Sequence, residues 1–292
     1  MERDPAAEWD ADAWWARIPA VRTVLDAGLD LPAGVTFLVG ENGSGKSTLV
    51  EALAQVYGLN PEGGSRGAMH RTRDTESPLG AMLRLVRTPG SRAGAYFLRA
   101  ETTHGLYTYL EALPDSPDRD LHERSHGEGF LALLERKFAR PGFYLLDEPE
   151  AALSFTSTLS LMARLAALAE SGAQLVVATH SPVLTALPGA TVLELGEHGI
   201  RRTTWSELAV VADFRAFLDR PDRYLRHLLP WRDAHGSKRW VVSRIVVPSE
   251  ASARTSAQNC RRADRWTPSV TCSRRPAYPH ADRRVPHPDQ IR

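Results

Sequence analysis

The most informative segment of the sequence is Gly40-Glu41-Asn42-Gly43-Ser44-Gly45-Lys46-Ser47, followed by Thr48. It matches the pattern G-x-x-x-x-G-K-[ST], in which successive backbone N–H groups point inward at an anion. Residues 35–39 before it are apolar and largely β-branched, as in a buried strand, and residues 47–57 have apolar positions at helical spacing. A glycine-rich turn between a strand and a helix predicts a phosphate-binding loop, rather than an ordinary turn with an exposed lysine.

The residue types of this loop predict its chemistry. The amino terminus of the following helix adds a positive end to the ring of N–H groups. We expect Lys46 to reach the β- and γ-phosphates of a nucleotide, and the Ser47 hydroxyl to bind Mg²⁺.

Two adjacent carboxylates follow a second apolar segment, in Phe143-Tyr-Leu-Leu-Asp147-Glu148-Pro149. They would lie beside the phosphate loop if the two strands were neighbours in a sheet. Asp147 would then hold Mg²⁺ through water, and Glu148 would act as the general base towards an attacking water. The alternative, acids on a solvated loop, is disfavoured because the phosphate loop is in the same chain.

Two further segments carry candidate nucleotide contacts. His180 follows the apolar run 174–178, and its imidazole could contact the γ-phosphate, although a histidine after a strand is often only a polar loop residue. Ser125 and Gly127 directly precede a helical pattern at 128–138 and could form a second anion site, or merely a helix cap.

Strand-like and helix-like segments alternate along residues 1–230. We expect strands at 35–39, 95–98, 143–146, 174–178 and 191–195, and helices at 47–57, 106–113, 128–138, 158–170 and 213–229, the last broken at Pro221. Alternation of this kind predicts an α/β fold with a mostly parallel sheet and helices on both faces. Residues 59–78, rich in Gly, Arg and Ser, indicate a loop.

The composition is that of a globular protein, with a basic carboxyl-terminal segment. The 292 residues are 42% hydrophobic, with 36 basic and 35 acidic residues. Residues 231–292 hold 13 basic and 5 acidic residues, a net charge of +8, and show no sustained periodicity. We therefore expect an ATP-site domain at 1–230 and a disordered tail at 231–292. The positive charge of this tail gives weak support for nucleic acid as a partner.

No targeting or membrane signal is evident. No run of eighteen apolar residues exists, residues 1–15 are acidic without an apolar core, and the two cysteines both lie in the last 33 residues. The expected location is the cytoplasm.

In order and spacing, these motifs resemble the head of ABC-type ATPases, of the stand-alone bacterial AAA-family kind related to recombination and chromosome-maintenance ATPases. The resemblance covers roughly residues 20–230 and implies a P-loop fold with a small helical lobe carrying the signature Ser125-His126-Gly127-Glu128. It also implies ATP and Mg²⁺ as ligands and a homodimer that closes on ATP. In that dimer Ser125 and Gly127 of one head would contact the nucleotide of the other, and Lys46, Glu148 and His180 would be catalytic.

Some positions depart from the family pattern. The signature lacks the Leu-Ser-Gly-Gly-Gln of transporters, and Ser154 stands where transporter heads usually have aspartate. No magnesium-contacting glutamine is evident, so Arg99 or Glu101 is the candidate substitute, and Trp14 or Trp15 is the candidate adenine platform.

Two other functions compete with a stand-alone ATP hydrolase. One is the ATP-binding subunit of a membrane transporter, which the signature disfavours. The other is a DNA-repair-associated ATPase, which the acidic body and the short spacing between loop and signature disfavour. A GTPase is disfavoured because the chain has no Asn-Lys-x-Asp segment.

The tail leads to a first prediction. A chain that ends after Pro230 should keep its melting temperature and its ATPase rate, because the alternating body is complete before the composition changes. Thermal unfolding and phosphate release measure both. A large fall in either would mean that the apolar clusters at 240–242 or 245–247 belong to the folded body.

Overall fold

The computed structural model describes residues 1–66, 77–87, 94–112, 118 and 120–228, without the side chains of His126 and His227. The expected tail at 231–292 and part of the expected loop at 59–78 lie outside the described residues. The domain boundary near 230 therefore stays a prediction.

Six strands form one sheet, and a further two form a small antiparallel pair among the described residues. The sheet strands are β2 (Gly34–Val39), β4 (Gly94–Arg99), β5 (Gly142–Asp147), β6 (Gln174–Thr179), β7 (Thr191–Gly196) and β8 (Gly199–Thr203). The pair consists of β1 (Glu2–Arg3) and β3 (Leu83–Arg84). The sheet order is β4-β5-β6-β2-β7-β8, parallel throughout except for β8, which pairs antiparallel with β7. The expected mostly parallel sheet is confirmed.

The helices cover both faces of this sheet. They are α1 (Pro19–Ala27), α2 (Lys46–Tyr57), α3 (Thr103–Ala112), α4 (His126–Lys137), α5 (Phe155–Glu170), α6 (Ala209–Asp219) and α7 (Pro221–Leu228). The expected break at Pro221 separates α6 from α7, whereas α1 was not expected. Over the described ranges, no helix has the length and apolar character needed to cross a membrane.

Alternate residues of the buried strands pack into two separate cores. Phe37 lies in a core with residues of α3, α4 and α5, and Leu38 in a core with residues of α1 and α2. Both side chains are fully buried. Strands covered on both faces read as nearly continuous apolar runs, which explains why Thr36 is the one polar residue of 35–39.

The sheet order shows how the two carboxylates come to lie beside the phosphate loop. The strand that leads into the phosphate loop, β2, is not the neighbour of β5, because β6 lies between them. All three are parallel, so their carboxyl ends still meet at one edge, where Asp147 pairs in register with Ala178, and Thr179 with Val39. Ligand sites of open parallel sheets form at this edge.

Candidate active site

The phosphate loop passes into α2 through a glycine that no other residue could replace without strain. Gly45 is the residue before α2 and has a φ of 98°, in the left-handed region. A Cβ there would lie 2.7 Å from Cγ2 of Ile18. Conformation and close packing both require glycine at this position.

Lys46 folds back over the loop. Its Nζ donates hydrogen bonds to the carbonyl oxygens of Gly40 at 2.9 Å and Glu41 at 3.0 Å. Burial lowers the pKa of Lys46, and the nearby carboxylates of Glu148 and Asp147 oppose that effect. The ammonium group is therefore held at the mouth of the loop, where phosphate groups would lie.

Ser44 supplies independent support for an anion in the loop. Its hydroxyl is buried and has no hydrogen-bond partner among the described residues. A buried donor without a partner is costly, and a phosphate oxygen would satisfy it. The buried hydroxyl of Ser44, which lacks a partner within the described part of the chain, therefore fits a phosphate group bound in the loop.

Ser47 and Asp147 meet although they are 100 residues apart. The Ser47 hydroxyl donates to Oδ1 of Asp147 at 3.3 Å. Burial raises the pKa of Asp147 to about 6, while the positive charge of Arg99 opposes the shift. A hydroxyl and a carboxylate are hard oxygen ligands of the kind Mg²⁺ prefers, so these two residues fit the ion expected there.

Arg99 occupies the end of β4, in register with Asp147. Its Nε lies 3.5 Å from Oδ2 of Asp147, and its two terminal nitrogens lie 2.5 Å from Glu51 and 3.1 Å from Glu101. A guanidinium has no acceptor atom and cannot ligate a metal, so of the two candidates only Glu101 has ligand chemistry.

The residues around this point enclose a cleft of about 390 Å³, lined by Ser47, Arg99, Ala100, Glu101, Asp147, Glu148, Ala151 and Ala152.

Glu148 stands out by its backbone. Its φ of 49° and ψ of 46° are left-handed, a conformation that no other non-glycine residue of the described chain adopts. Such conformations are strained and persist only where the surrounding structure holds them. Oε1 of Glu148 lies 2.9 Å from Nε2 of His180, so the histidine expected at the γ-phosphate contacts the candidate base directly.

Glu150 belongs to the same cluster, and the sequence interpretation missed it. Its Oε1 accepts hydrogen bonds from Oγ1 of Thr179 at 2.6 Å and from the backbone N–H of His180 at 2.7 Å. The available signal was a third acid one residue beyond Asp147-Glu148-Pro149. The sequence pattern gave no reason to connect it with residues 29 and 30 positions away.

The signature residues lie at the amino terminus of α4. Ser125 and Glu128 form a capping box, with the Ser125 hydroxyl 2.6 Å from Oε2 of Glu128. A Cβ on Gly127 would lie 3.0 Å from the carbonyl oxygen of Ala152, so this helix end packs closely on the segment after Glu148. Neither Ser125 nor Gly127 lines the cleft at Ser47 and Asp147. The signature residues therefore lie next to the cleft, through Ala152, without lining it in the same chain.

The two tryptophans differ in exposure. Trp15 is 4% exposed and packs in the core, with its ring centroid 5.9 Å from that of Trp9. Trp14 is 61% exposed. Of the two, only Trp14 has a ring available to stack on an adenine.

Two family models match the chain on either side of β4. One, described as "AAA domain", matches residues 17–78, which include the phosphate loop. The other, described as "AAA domain, putative AbiEii toxin, Type IV TA system", matches residues 106–186, which include the signature, Asp147-Glu148 and His180.

Curated relatives identify the family. The "Cytochrome c biogenesis ATP-binding export protein CcmA" of Rhodospirillum rubrum is 33% identical over 180 residues, which are 56% of this chain and 75% of that protein. A "Putative ABC transporter ATP-binding protein" of Streptomyces coelicolor is 34% identical over 183 residues, covering 57% of this chain and 32% of the relative. The chain belongs to the family of ABC-type ATP-binding proteins. This confirms the resemblance inferred from the motifs.

This ABC-type ATP-binding protein spans only about a third of the length of two relatives. It covers 32% of the Streptomyces coelicolor protein and 30% of a "Putative ABC transporter ATP-binding protein" of Streptomyces avermitilis. Among solved structures, a chain titled "An inward-facing conformation of a putative metal-chelate type ABC transporter" matches at 20% identity with a TM-score of 0.39, over 65% of this chain and 80% of its own. That likeness is too low to inform the site.

The position of Arg99 leads to a prediction about metal affinity. Arg99→Gln should raise the affinity for Mn²⁺, used as a probe for Mg²⁺, roughly tenfold in the presence of a non-hydrolysable ATP analogue, because a cation beside Asp147 opposes a second cation. Electron paramagnetic resonance titration measures free Mn²⁺. Arg22→Gln, on the exposed side of α1, is the matched control. Equal affinities in all three proteins would show that Arg99 does not act on the metal.

Proposed function

We propose that this ABC-type ATP-binding protein hydrolyses ATP to ADP and phosphate with Mg²⁺, in a homodimer that closes around the nucleotide. The observation that carries the proposal is the contact of Ser47 with Asp147, at 3.3 Å. It joins the phosphate loop to the two carboxylates at one sheet edge. We further propose a cytoplasmic location for this domain.

Nucleotide binding follows from the loop. The N–H groups of residues 40–48 and the buried hydroxyl of Ser44 would donate to the phosphates, and Lys46 would exchange its two carbonyl contacts for phosphate oxygens. Ser47 and Asp147 would hold Mg²⁺, which neutralises charge on the β- and γ-phosphates when it is bound.

Hydrolysis requires a general base close to Ser47 and Asp147, the residues proposed to hold Mg²⁺. Glu148 lines the same cleft as Ser47 and Asp147 and would accept the proton of the attacking water at its carboxylate. His180 would orient that carboxylate, since their side chains already lie 2.9 Å apart, and would reach the γ-phosphate from the same position.

A second copy of the chain would complete the site. Ser125 is exposed at the start of α4, and the helix amino terminus favours anions. The close approach of Gly127 to Ala152 would transmit movement of the signature helix to the segment that follows Glu148. In this arrangement Ser125 and Gly127 would act on the partner's nucleotide, and neither residue lines the cleft of its own chain.

The second candidate function is the ATP-binding subunit of a transporter. It is favoured by the names of the relatives, which describe export and transporter ATP-binding proteins. Both functions use the same hydrolytic site and differ in the partner. Retention on membranes from the source cells, lost when membrane proteins are first removed by protease, would favour the transporter subunit. A dimer that turns over ATP at full rate without membranes would favour the stand-alone enzyme.

The base assignment predicts the behaviour of Glu148→Gln. This variant should bind ATP normally but turn over about 10²–10⁴-fold more slowly, because an amide cannot accept the proton of water. Calorimetry gives the affinity and phosphate release gives the rate. Glu135→Gln, which changes an exposed glutamate of α4, should leave both values unchanged. Wild-type turnover by the Glu148 variant would place the base elsewhere.

The composite site predicts complementation between two inactive variants. Ser125→Arg should bind ATP without dimerising or hydrolysing it, because its signature cannot act on the partner's nucleotide. Lys46→Ala should lose ATP binding but keep a sound signature. Mixing the two should restore activity to one site per dimer, measurable as phosphate release and by light scattering.

A control and a contrary outcome accompany this mixture. Glu135→Arg places the same cation elsewhere on α4 and should leave dimerisation intact. If Ser125→Arg hydrolyses ATP at the normal rate as a monomer, then ATP is not bound between two copies of this protein.

A further inference from the structure

Glu150 makes contacts that the proposed reaction does not use. It lies in the short 3₁₀ segment Pro149–Ala152, two residues after the candidate base. One oxygen, Oε1, accepts from the Thr179 hydroxyl at 2.6 Å and from the His180 N–H at 2.7 Å. The other, Oε2, is buried and has no hydrogen-bond partner in the described part of the chain. A single oxygen atom therefore carries both contacts.

These two donors lie at the junction between the end of β6 and His180. Thr179 is the last residue of β6 and is fully buried. Its hydroxyl donates to Glu150 and accepts from the N–H of Ser181 at 3.0 Å. The backbone on both sides of His180 is thus tied, directly or through Thr179, to the carboxylate of Glu150.

The same contacts connect Glu150 with the candidate base. The ring of His180 lies 2.9 Å from Oε1 of Glu148, and its backbone N–H bonds to Glu150. His180 therefore contacts both Glu148 and Glu150. These contacts connect two segments that are about 30 residues apart in the sequence. Glu148 needs such support because its left-handed backbone is strained.

We propose that Glu150 is a positioning residue for the Glu148 and His180 pair. Hydrogen bonds to an ionised acceptor are short and strong, and removing this acceptor leaves a buried hydroxyl and an N–H without partners. The backbone at His180 would then shift, and its ring would leave Glu148. Glu150 acts without touching the nucleotide, and its role in turnover rests on the proposed function.

Kinetics of two variants test the role in turnover. Glu150→Ala should lower kcat at least tenfold with ATP affinity within about twofold of wild type, since misplacing a catalytic group by about 1 Å costs up to about 100-fold. Glu150→Gln keeps one carbonyl acceptor and should retain most of the activity. Glu135→Ala is the control and should be unchanged. An unchanged kcat for Glu150→Ala, or a parallel loss of ATP affinity, would overturn the proposal.

A double-mutant cycle tests whether Glu150 acts through His180. In the His180→Ala background, Glu150→Ala should cause little further loss of kcat, because the contact it supports has already gone. Full additivity of the two losses would mean that Glu150 acts by another route.

A third measurement does not depend on ATP hydrolysis. The ¹⁵N resonances of the His180 ring, assigned by their absence from His180→Ala, should shift in Glu150→Ala but not in Glu150→Gln or Glu135→Ala. Thr179→Val, which removes one donor to Glu150, should shift them too and serves if Glu150→Ala fails to fold. Unmoved His180 resonances would overturn the positioning role. If the wild type does not hydrolyse ATP, the proposed function fails while this test still decides the role of Glu150.

Discussion

Parallel pairing of β2, β6 and β5 is the constraint on which the whole site depends. Each strand delivers one chemical group at its carboxyl end: the phosphate loop, His180 and Asp147-Glu148. Because the strands run in the same direction, these groups meet at one edge although they come from distant parts of the chain. The 3.3 Å contact between Ser47 and Asp147 is the direct consequence of that pairing.

Opposite charges lie close together at this edge of the sheet, where carboxylates outnumber the cations. Lys46 bonds to carbonyls of its own loop, near Glu148 and Asp147, and Arg99 pairs with Glu51, Glu101 and Asp147. A nucleotide with a divalent cation brings both charges to the same place, so phosphate would compete for Lys46 and the metal for Asp147. The arginine at the end of β4 makes this site different from one with a neutral glutamine in the same position.

The two candidate functions share this site and differ in what surrounds it. The signature helix begins with a capping box that leaves Ser125 exposed and seats Gly127 against Ala152. A helix end with these contacts could connect the nucleotide site with a neighbouring subunit. That neighbour would be a second copy alone, or a second copy held in a dimer by a membrane partner. Relatives named as transporter and export ATP-binding proteins establish the family, and the partner of this chain is a separate question.

Local features of this protein could be predicted from the sequence alone. The glycine spacing of residues 40–48, the largely apolar character of β2, β5 and β6, and the break at Pro221 depend on residues close together in the sequence. They could therefore be predicted from it. The tertiary structure alone decided that β6 separates β2 from β5, that a cation at Arg99 faces Asp147, and that Glu150 holds His180. These depend on strand order and on contacts between residues 29 to 48 positions apart. Side-chain pattern specifies which face of a strand is buried, whereas the identity of its neighbour follows from packing of the whole sheet.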